Sequence, residues 1–273
     1  MNAQNKLTSK INKQLHICVG LDTDLELIPL KFSKSINSIL EFNKAVIDAT
    51  LNYAAAYKIN FAFYEKFGTK GLEVIEKTVD LIGGETLIIA DAKRGDIGNT
   101  SQKYAESIFD YFKFDSVTLH PYMGMESISP FLNYKDKLSF VLGLTSNKSA
   151  ADFEKLKLEN GKYLYQEVIN KVNEWNINNN CGLVFGATNI EELNKNIQSF
   201  KNMPILLPGV GAQGGSLEDV VAAFYEIKKN NFIVNVSRGL LFIDDSINFQ
   251  KSIEEKIASL NFEVKNKIEH LKV

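Results

Sequence analysis

Cysteine and histidine are scarce in this chain of 273 residues, with two of the first and three of the second. Cys18 and Cys181 fit neither a disulfide framework nor a zinc pattern, and the few histidines cannot build a His-rich metal site. An excess of either charge is missing too. Lys and Arg number 31 against 33 Asp and Glu, a formal net charge of -2. That balance offers no global basic field for nucleic acid or anionic lipid. No eighteen uninterrupted apolar residues occur, so no membrane-spanning helix is expected. The opening MNAQNKLTSKINKQ has lysines but no continuous apolar stretch of the signal-peptide kind. The expected setting is a reducing cytoplasm, and Cys18 and Cys181, inside apolar runs, are expected to be inert core thiols.

What the chain has is ordinary globular material, 45% hydrophobic and 23% charged. At this length a fold buries roughly three quarters of its extended surface and needs no staple. Leu7, Ile11 and Leu15 recur every four residues, which predicts a short amphipathic helix within residues 1–15, capping one end of a core. Eight short apolar runs follow: 16–22, 54–60, 86–91, 116–120, 138–144, 181–187, 204–209 and 232–237. Most are aliphatic nearly throughout, as in parallel strands buried on both faces. Helical stripes lie between them, such as Ile39, Phe42, Ala45, Val46 and Ala49, or Leu72, Ile75, Val79 and Ile82, or Val220, Ala223, Phe224 and Ile227.

Strand starts fall about 31 residues apart, the length of one βαβ unit. Eight such units, closed by a helix from about Asn248, predict an α/β fold, a single-domain (β/α)8 TIM barrel spanning residues 1–273. A doubly wound open sheet is the rival that counting alone leaves standing. No linker rich in Pro, Gly or Ser breaks the series. The long irregular piece at 145–162 reads as an active-site loop, and the Asn-rich stretch 175–180 as a solvated connector. Phe109, Phe112 and Phe114 read as core.

In a barrel, chemistry belongs at the C-terminal ends of the strands. Those ends carry Asp22, Lys58, Asp91 with Lys93 and Asp96, His120, Thr145 with Ser146, Gln213, and Ser237 with Arg238. The densest group is DAKRGDIGNT at 91–100. Asp91 and Lys93 are two apart, so an extended segment points both the same way. Asp96 and Thr100 are four apart across an expected helix start, which would give them one helical face. With Lys58 from the adjacent strand, two ammonium groups and two carboxylates converge. At about 4 Å and an effective dielectric near 20, each opposite-charge neighbour is worth roughly 4 kcal/mol of Coulomb energy. The plainer alternative is a structural salt-bridge network at the barrel mouth.

A second group is PGVGAQGG at 208–215, a literal GxGxxG at Gly209, Gly211 and Gly214. As a dinucleotide fingerprint it fails, because the next strand lacks the expected terminal acid. Its position after strand seven, with SRG after strand eight, matches the recurrent phosphate site of barrels. Backbone N–H groups of the glycines, the Gln213 amide and the Arg238 guanidinium are the expected anion donors. A tight turn explains the glycines but not Arg238. Ser146 suits either a donor to a heteroaromatic carbonyl or a loop cap, Asp22 either a sugar ligand or a helix cap, and His120 a structural role.

DAKRGDIGNT resembles the Asp-x-Lys-x-x-Asp signature of the orotidine 5′-phosphate decarboxylase family, in its longer bacterial-type branch. The likeness continues in the family's order through ICVGLDTD (17–24), AYKIN (56–60), HPYMG (120–124), GLTSN (143–147), VFGAT (184–188), PGVGAQGG and VSRGLLF (236–242). Thr23 and Lys148 depart from a common proline, and His120 from a common asparagine. The resemblance implies a barrel homodimer with shared active sites that converts orotidine 5′-monophosphate to uridine 5′-monophosphate and carbon dioxide, with no metal and no cofactor. It makes Lys93 the proton donor to C6 and places Asp91 beside the leaving carboxylate. It assigns Lys58 to the ribose and the charge network, Asp22 to the ribose, and Ser146 to the pyrimidine. Gln213 and Arg238, with Gly211, Gly214 and Ser237 around them, would hold the phosphate. Asp96 and Thr100 would enter the neighbouring subunit's site. The length suggests a monofunctional enzyme without a fused phosphoribosyltransferase. Two rivals remain: a metal-dependent sugar-phosphate lyase or synthase on the related barrel, and a catalytically silent nucleotide-phosphate binding module.

Overall fold

The computed structural model describes residues 1–211 and 214–271. Helix α1 (Ala3–Asn12) leads into β1 (Ile17–Gly20), α2 (Ile36–Thr50), β2 (Ala56–Asn60), the short α3 (Ala62–Glu65) and α4 (Thr69–Ile82). Then come β3 (Leu87–Arg94), α5 (Gly98–Glu106), β4 (Ser116–Leu119), α6 (Met125–Leu132), β5 (Leu138–Leu144) and α7 (Leu164–Trp175). The chain finishes with β6 (Cys181–Phe185), α8 (Ile190–Asn196), β7 (Ile205–Leu207), α9 (Leu217–Glu226), β8 (Phe232–Val236), the short α10 (Arg238–Leu241) and α11 (Phe249–His270).

All eight strands pair in parallel and in chain order, and β1 pairs with both β2 and β8, which closes the barrel and removes the open-sheet rival. Every expected strand is present within a few residues of its predicted bounds. The largest difference is β3, which runs on to Arg94, through the motif that was expected to follow it.

The strand pleat sorts side chains into two cores. Residues such as Val19, Tyr57, Ile88 and Val117 face outward and pack under the helices. Cys18, Ala56, Ile89, Phe140, Leu206 and Ile233 face the barrel axis and fill it. Helix α1 closes the lower end of this inner core with Ala3, Leu7 and Ile11. Its Lys6 ammonium lies 2.7 Å from Asp115, and both side chains are nearly buried. Asp115 also accepts the Ile88 N–H at 3.1 Å, so one carboxylate ties helix to sheet. Phe109, Phe112 and Phe114 are buried in the outer core. Cys18 and Cys181 are free and buried, and burial pushes both thiols up to about 12. None of the described helices is long and apolar enough to cross a membrane.

Continuing each inward row one step upward reaches the polar mouth. Cys18 and Gly20 lead to Asp22, Ala56 to Lys58, Ile89 to Asp91, Ser116 to Thr118, Phe140 to Leu142, and Ile233 to Asn235 and Ser237. The lower layers are mainly apolar, and the top layer is mainly polar and carries the charges of Asp22, Lys58 and Asp91.

His16 sits at the opposite end, buried and stacked on Phe232 with ring centroids 4.3 Å apart. Its Nδ1–H donates to the Phe232 carbonyl at 2.9 Å. Burial lowers its pKa to about 4, against the smaller raising effect of that bond. Below about pH 6.5 the unfolded chain binds a proton that the folded chain refuses until about pH 4. Stability from this residue is therefore complete above about pH 6.5 and falls by roughly 3 kcal/mol as the pH drops toward 4. Urea midpoints measured across that range should decline less in His16→Gln than in the wild type; parallel slopes would refute this role.

Candidate active site

The charged layer surrounds a cavity of about 650 Å³ at the C-terminal mouth of the barrel. Asp22, Lys58, Asp91, Lys93, Ser146, Ser237 and Arg238 all line it. Residues singled out in sequence at the ends of β1, β2, β3, β5 and β8, Thr145 among them, thus meet in one place.

Asp91 is the centre. Its Oδ2 accepts from Lys58 Nζ at 2.7 Å, and its Oδ1 from Lys93 Nζ at 2.6 Å and from the Thr118 hydroxyl at 3.0 Å. Burial would raise the Asp91 pKa, but Lys58 and Lys93 outweigh it and hold the carboxyl well below the usual carboxylate range. Lys58 is balanced in the same manner. Burial opposes its charge, yet Asp91 and then Asp22, at 3.5 Å, keep the ammonium above the ordinary lysine value. Lys93 differs in exposure: 51% of its side chain is accessible, against 5% for Lys58. It is the ammonium presented to the cavity.

Lys93 does not reach Asp91 along a regular strand, as its spacing suggested. Its φ is 45°, in the left-handed region, and the β3–β4 register shifts between Ala90 and Arg94. The local turn, not the pleat, brings the two side chains together.

Asp96 and Thr100 do not line this cavity, and the expected shared helical face is corrected. Helix α5 starts at Gly98 after an extended Ile97, so Asp96 stands outside it and accepts the Ile97 N–H at 2.8 Å. Asp96 is half-buried and Thr100 exposed on the rim.

Gly209 and Val210 form cavity wall beside Arg238 and Gly239. Gly211 and Gly214 turn the chain with φ of 75° and 88°. Their amides are spent inside the loop: Gly211 N–H donates to Gly215 O, Gly214 N–H to Gly211 O, and Gly215 N–H to Gly209 O. In this structure the amides of Gly211 and Gly214, the expected anion donors, bond within the loop and shape it. Gln213 lies outside the described residues. Arg238, at the end of β8, supplies a guanidinium to the cavity wall.

Asp22 is not a helix cap. The next helix starts at Ile36, and Asp22 Oδ1 is buried with no hydrogen-bond partner among the described residues, only the longer ion pair to Lys58. Ser146 donates to Pro208 O at 3.3 Å and packs so closely on Gly186 that a Cβ there would come within 2.6 Å of its hydroxyl. The 145–162 segment is more ordered than its composition suggested. Its first residues, Thr145 to Lys148, line the cavity, and a 3-10 turn covers Lys148–Asp152. Glu154 then returns to accept the Thr145 N–H at 2.7 Å and its hydroxyl at 2.9 Å, while Lys155 pairs with Glu192 at 2.5 Å. His120 has a packing role, its ring lying where a Cβ on Gly95 would approach to 2.5 Å.

Asn60, the last residue of β2, was passed over, and Thr118 and Asn235 lie one step inside their strands; all three also line the cavity. Thr118 and Asn235 were visible as polar residues inside otherwise apolar runs. Among the described residues no group of three or more His, Cys, Asp or Glu is placed to hold a metal ion.

The site can hold an anionic ligand against Arg238 and present a fixed ammonium to its other end. Residues 15–247 match the model of the orotidine 5′-phosphate decarboxylase / HUMPS family. The chain is 42% identical to the orotidine 5′-phosphate decarboxylase of Christiangramia forsetii, over 99% of this chain and 100% of that protein. It superimposes on the OMP decarboxylase of Leishmania donovani with a TM-score of 0.81 at 34% identity, over 96% of this chain and all of the other. Against Leishmania donovani UMP synthase the TM-score is 0.83 at 35% identity, over 96% of this chain but only 57% of that longer protein.

The charge network predicts unequal costs of removing its two lysines. Lys58→Met leaves Asp22 without its ion-pair partner and Asp91 with only Lys93 and Thr118, and should cost roughly 3–5 kcal/mol of unfolding free energy. Lys93→Ala, at a half-exposed position, should cost about 1 kcal/mol or less. Denaturant titrations at neutral pH check both values, and equal losses would contradict the assignment of Lys58 as the buried keystone.

Proposed function

The chain belongs to the orotidine 5′-phosphate decarboxylase / HUMPS family, and from that premise we propose that it decarboxylates orotidine 5′-monophosphate to uridine 5′-monophosphate, with Lys93 as the acid. The observation that carries this reading is the half-exposed Lys93 ammonium held 2.6 Å from a buried carboxylate inside a cavity that also contains Arg238. When the bond from C6 to the carboxylate breaks, carbon dioxide leaves and the electron pair stays on C6. A fixed ammonium stabilises that charge and transfers its proton to C6, and the amine then recovers a proton from water. Asp91 holds Lys93 in place and faces the departing carboxylate. Lys58 and Asp22 take the ribose hydroxyls, Ser146 the pyrimidine, and Arg238 with Ser237 and Gln213 the phosphate. Binding energy at the remote phosphate then positions the ring over Lys93. The product places the reaction in de novo pyrimidine nucleotide synthesis, and the free buried thiols of Cys18 and Cys181 suit a cytoplasmic enzyme.

An ultraviolet assay of orotidine 5′-monophosphate loss tests the reading directly. Turnover should persist unchanged in EDTA. Lys93→Ala should abolish it while still binding uridine 5′-monophosphate, because the phosphate contacts are distant from C6. Loss of activity in the chelator would favour the metal-dependent chemistry of the related barrel; no turnover at all would favour a binding module.

Asp96 and Thr100 stand outside this chain's own cavity, beside Ile97 and Tyr104, whose apolar side chains are 52% and 38% exposed. That placement supports a homodimer in which both residues complete the partner's site. Lys93→Ala and Asp96→Ala, each inactive alone, should complement when unfolded and refolded together. Random pairing gives half mixed dimers with one intact site each, so activity should return to roughly a quarter of wild type. A mixture that stays inactive while its mixed dimers are shown to form would exclude sharing.

A further inference from the structure

We infer that Thr118 is a positioning residue for this reaction, using one hydroxyl to fix both the backbone turn that presents Lys93 and the carboxylate of Asp91. The inference rests on the reading of Lys93 as the acid. It starts from a mismatch in the sheet. Ala90 pairs with Val117 and Arg94 with Leu119, so four steps along β3 match two along β4. Thr118 is the lone β4 residue facing Asp91, Ala92 and Lys93, and β3 must bulge opposite it. The bulge places Lys93 at φ 45°, a conformation that disfavours residues with a side chain.

In a regular ladder the Lys93 N–H would find a carbonyl on the neighbouring strand. Here it donates to Thr118 Oγ1 at 3.1 Å. The same hydroxyl donates its own proton to Asp91 Oδ1 at 3.0 Å. An ionised carboxylate can only accept, so the direction of both bonds is set. Asp91 Oδ1 in turn receives Lys93 Nζ at 2.6 Å. The result is a closed ring running from the Lys93 backbone to Thr118, to Asp91, to the Lys93 side chain. Thr118 lines the cavity but is only 2% exposed, which leaves water little room to replace its hydroxyl. Without the hydroxyl, Lys93 N–H loses its partner, Asp91 loses one of three donors, and the left-handed turn loses its tie to β4.

Thr118→Val removes the hydroxyl at nearly constant shape, and Thr118→Ser retains it. We expect the valine variant to lower kcat about tenfold to a hundredfold, as misplacement of a catalytic group by up to about 1 Å does. Its dissociation constant for uridine 5′-monophosphate should stay within about threefold of wild type, since the hydroxyl acts on the acid rather than on uniform binding. The serine variant should restore kcat. Wild-type kcat in the valine variant, equal losses in kcat and nucleotide affinity, or a serine variant as impaired as valine would each overturn the inference. Should valine fail to fold, Thr118→Ala supplies the same comparison. Wild type and Lys93→Ala run alongside separate the two readings. An inactive wild type defeats the proposed function itself. An active wild type and inactive Lys93→Ala, beside a fully active valine variant, defeat the role of Thr118 alone.

Discussion

The mouth of this barrel is organised around one carboxylate, Asp91, shared by two ammonium groups and a hydroxyl. A buried carboxylate survives ionised only because those donors replace the water it has lost. Each donor is thereby fixed as well. Lys58 is immobilised between Asp91 and Asp22, Thr118 is oriented on β4, and Lys93 is left with its ammonium anchored but half open to the cavity. A pair buried at both ends would be inert, and one exposed at both ends would wander. The asymmetry between a closed Lys58 and an open Lys93 is what turns a salt-bridge network into a reactive site.

The inner core makes that arrangement affordable. Below the charged layer the barrel axis is filled by Cys18, Ala56, Ile89, Phe140, Leu206 and Ile233, and sealed by α1 through Leu7 and Ile11. Apolar packing beneath the site supplies the burial free energy that the polar layer forgoes. It also leaves Lys58 no deeper water to reach, so its charge can be met only sideways, by Asp91 and Asp22. Fold stability and the placement of Asp22, Lys58 and Asp91 follow from the same two-residue alternation along each strand, whereas Lys93 is placed by the bulge in β3.

Much of this was legible in the residues. The barrel followed from eight aliphatic runs at βαβ spacing, because strands buried on both faces must be apolar nearly throughout. The convergence of Asp22, Lys58, Asp91, Lys93, Ser146 and Arg238 followed from their common position at strand ends. The reading went astray where local conformation departed from a regular element. Asp91 and Lys93 looked like neighbours on an extended strand, yet a left-handed turn joins them. Asp96 and Thr100 looked like one helical face, yet α5 begins only at Gly98. Thr118 and Asn235 were overlooked because polar residues inside strands were not followed one pleat inward from the ends.

By itself, the sequence determined the α/β class, the number and positions of its strands along the chain and the identity of the charged groups, since these depend on periodicity and residue chemistry, which are local; that the strands close in chain order was decided by their pairing. Only the tertiary structure decided which lysine is buried and which is presented, and that a bulge opposite Thr118 turns Lys93 toward Asp91. It also decided that Asp22 serves the cavity and caps no helix. Those outcomes depend on the register between neighbouring strands, where Ala90 meets Val117 and Arg94 meets Leu119. Register is a property of two segments held together by the closing of the whole barrel, and no single stretch of the chain contains it.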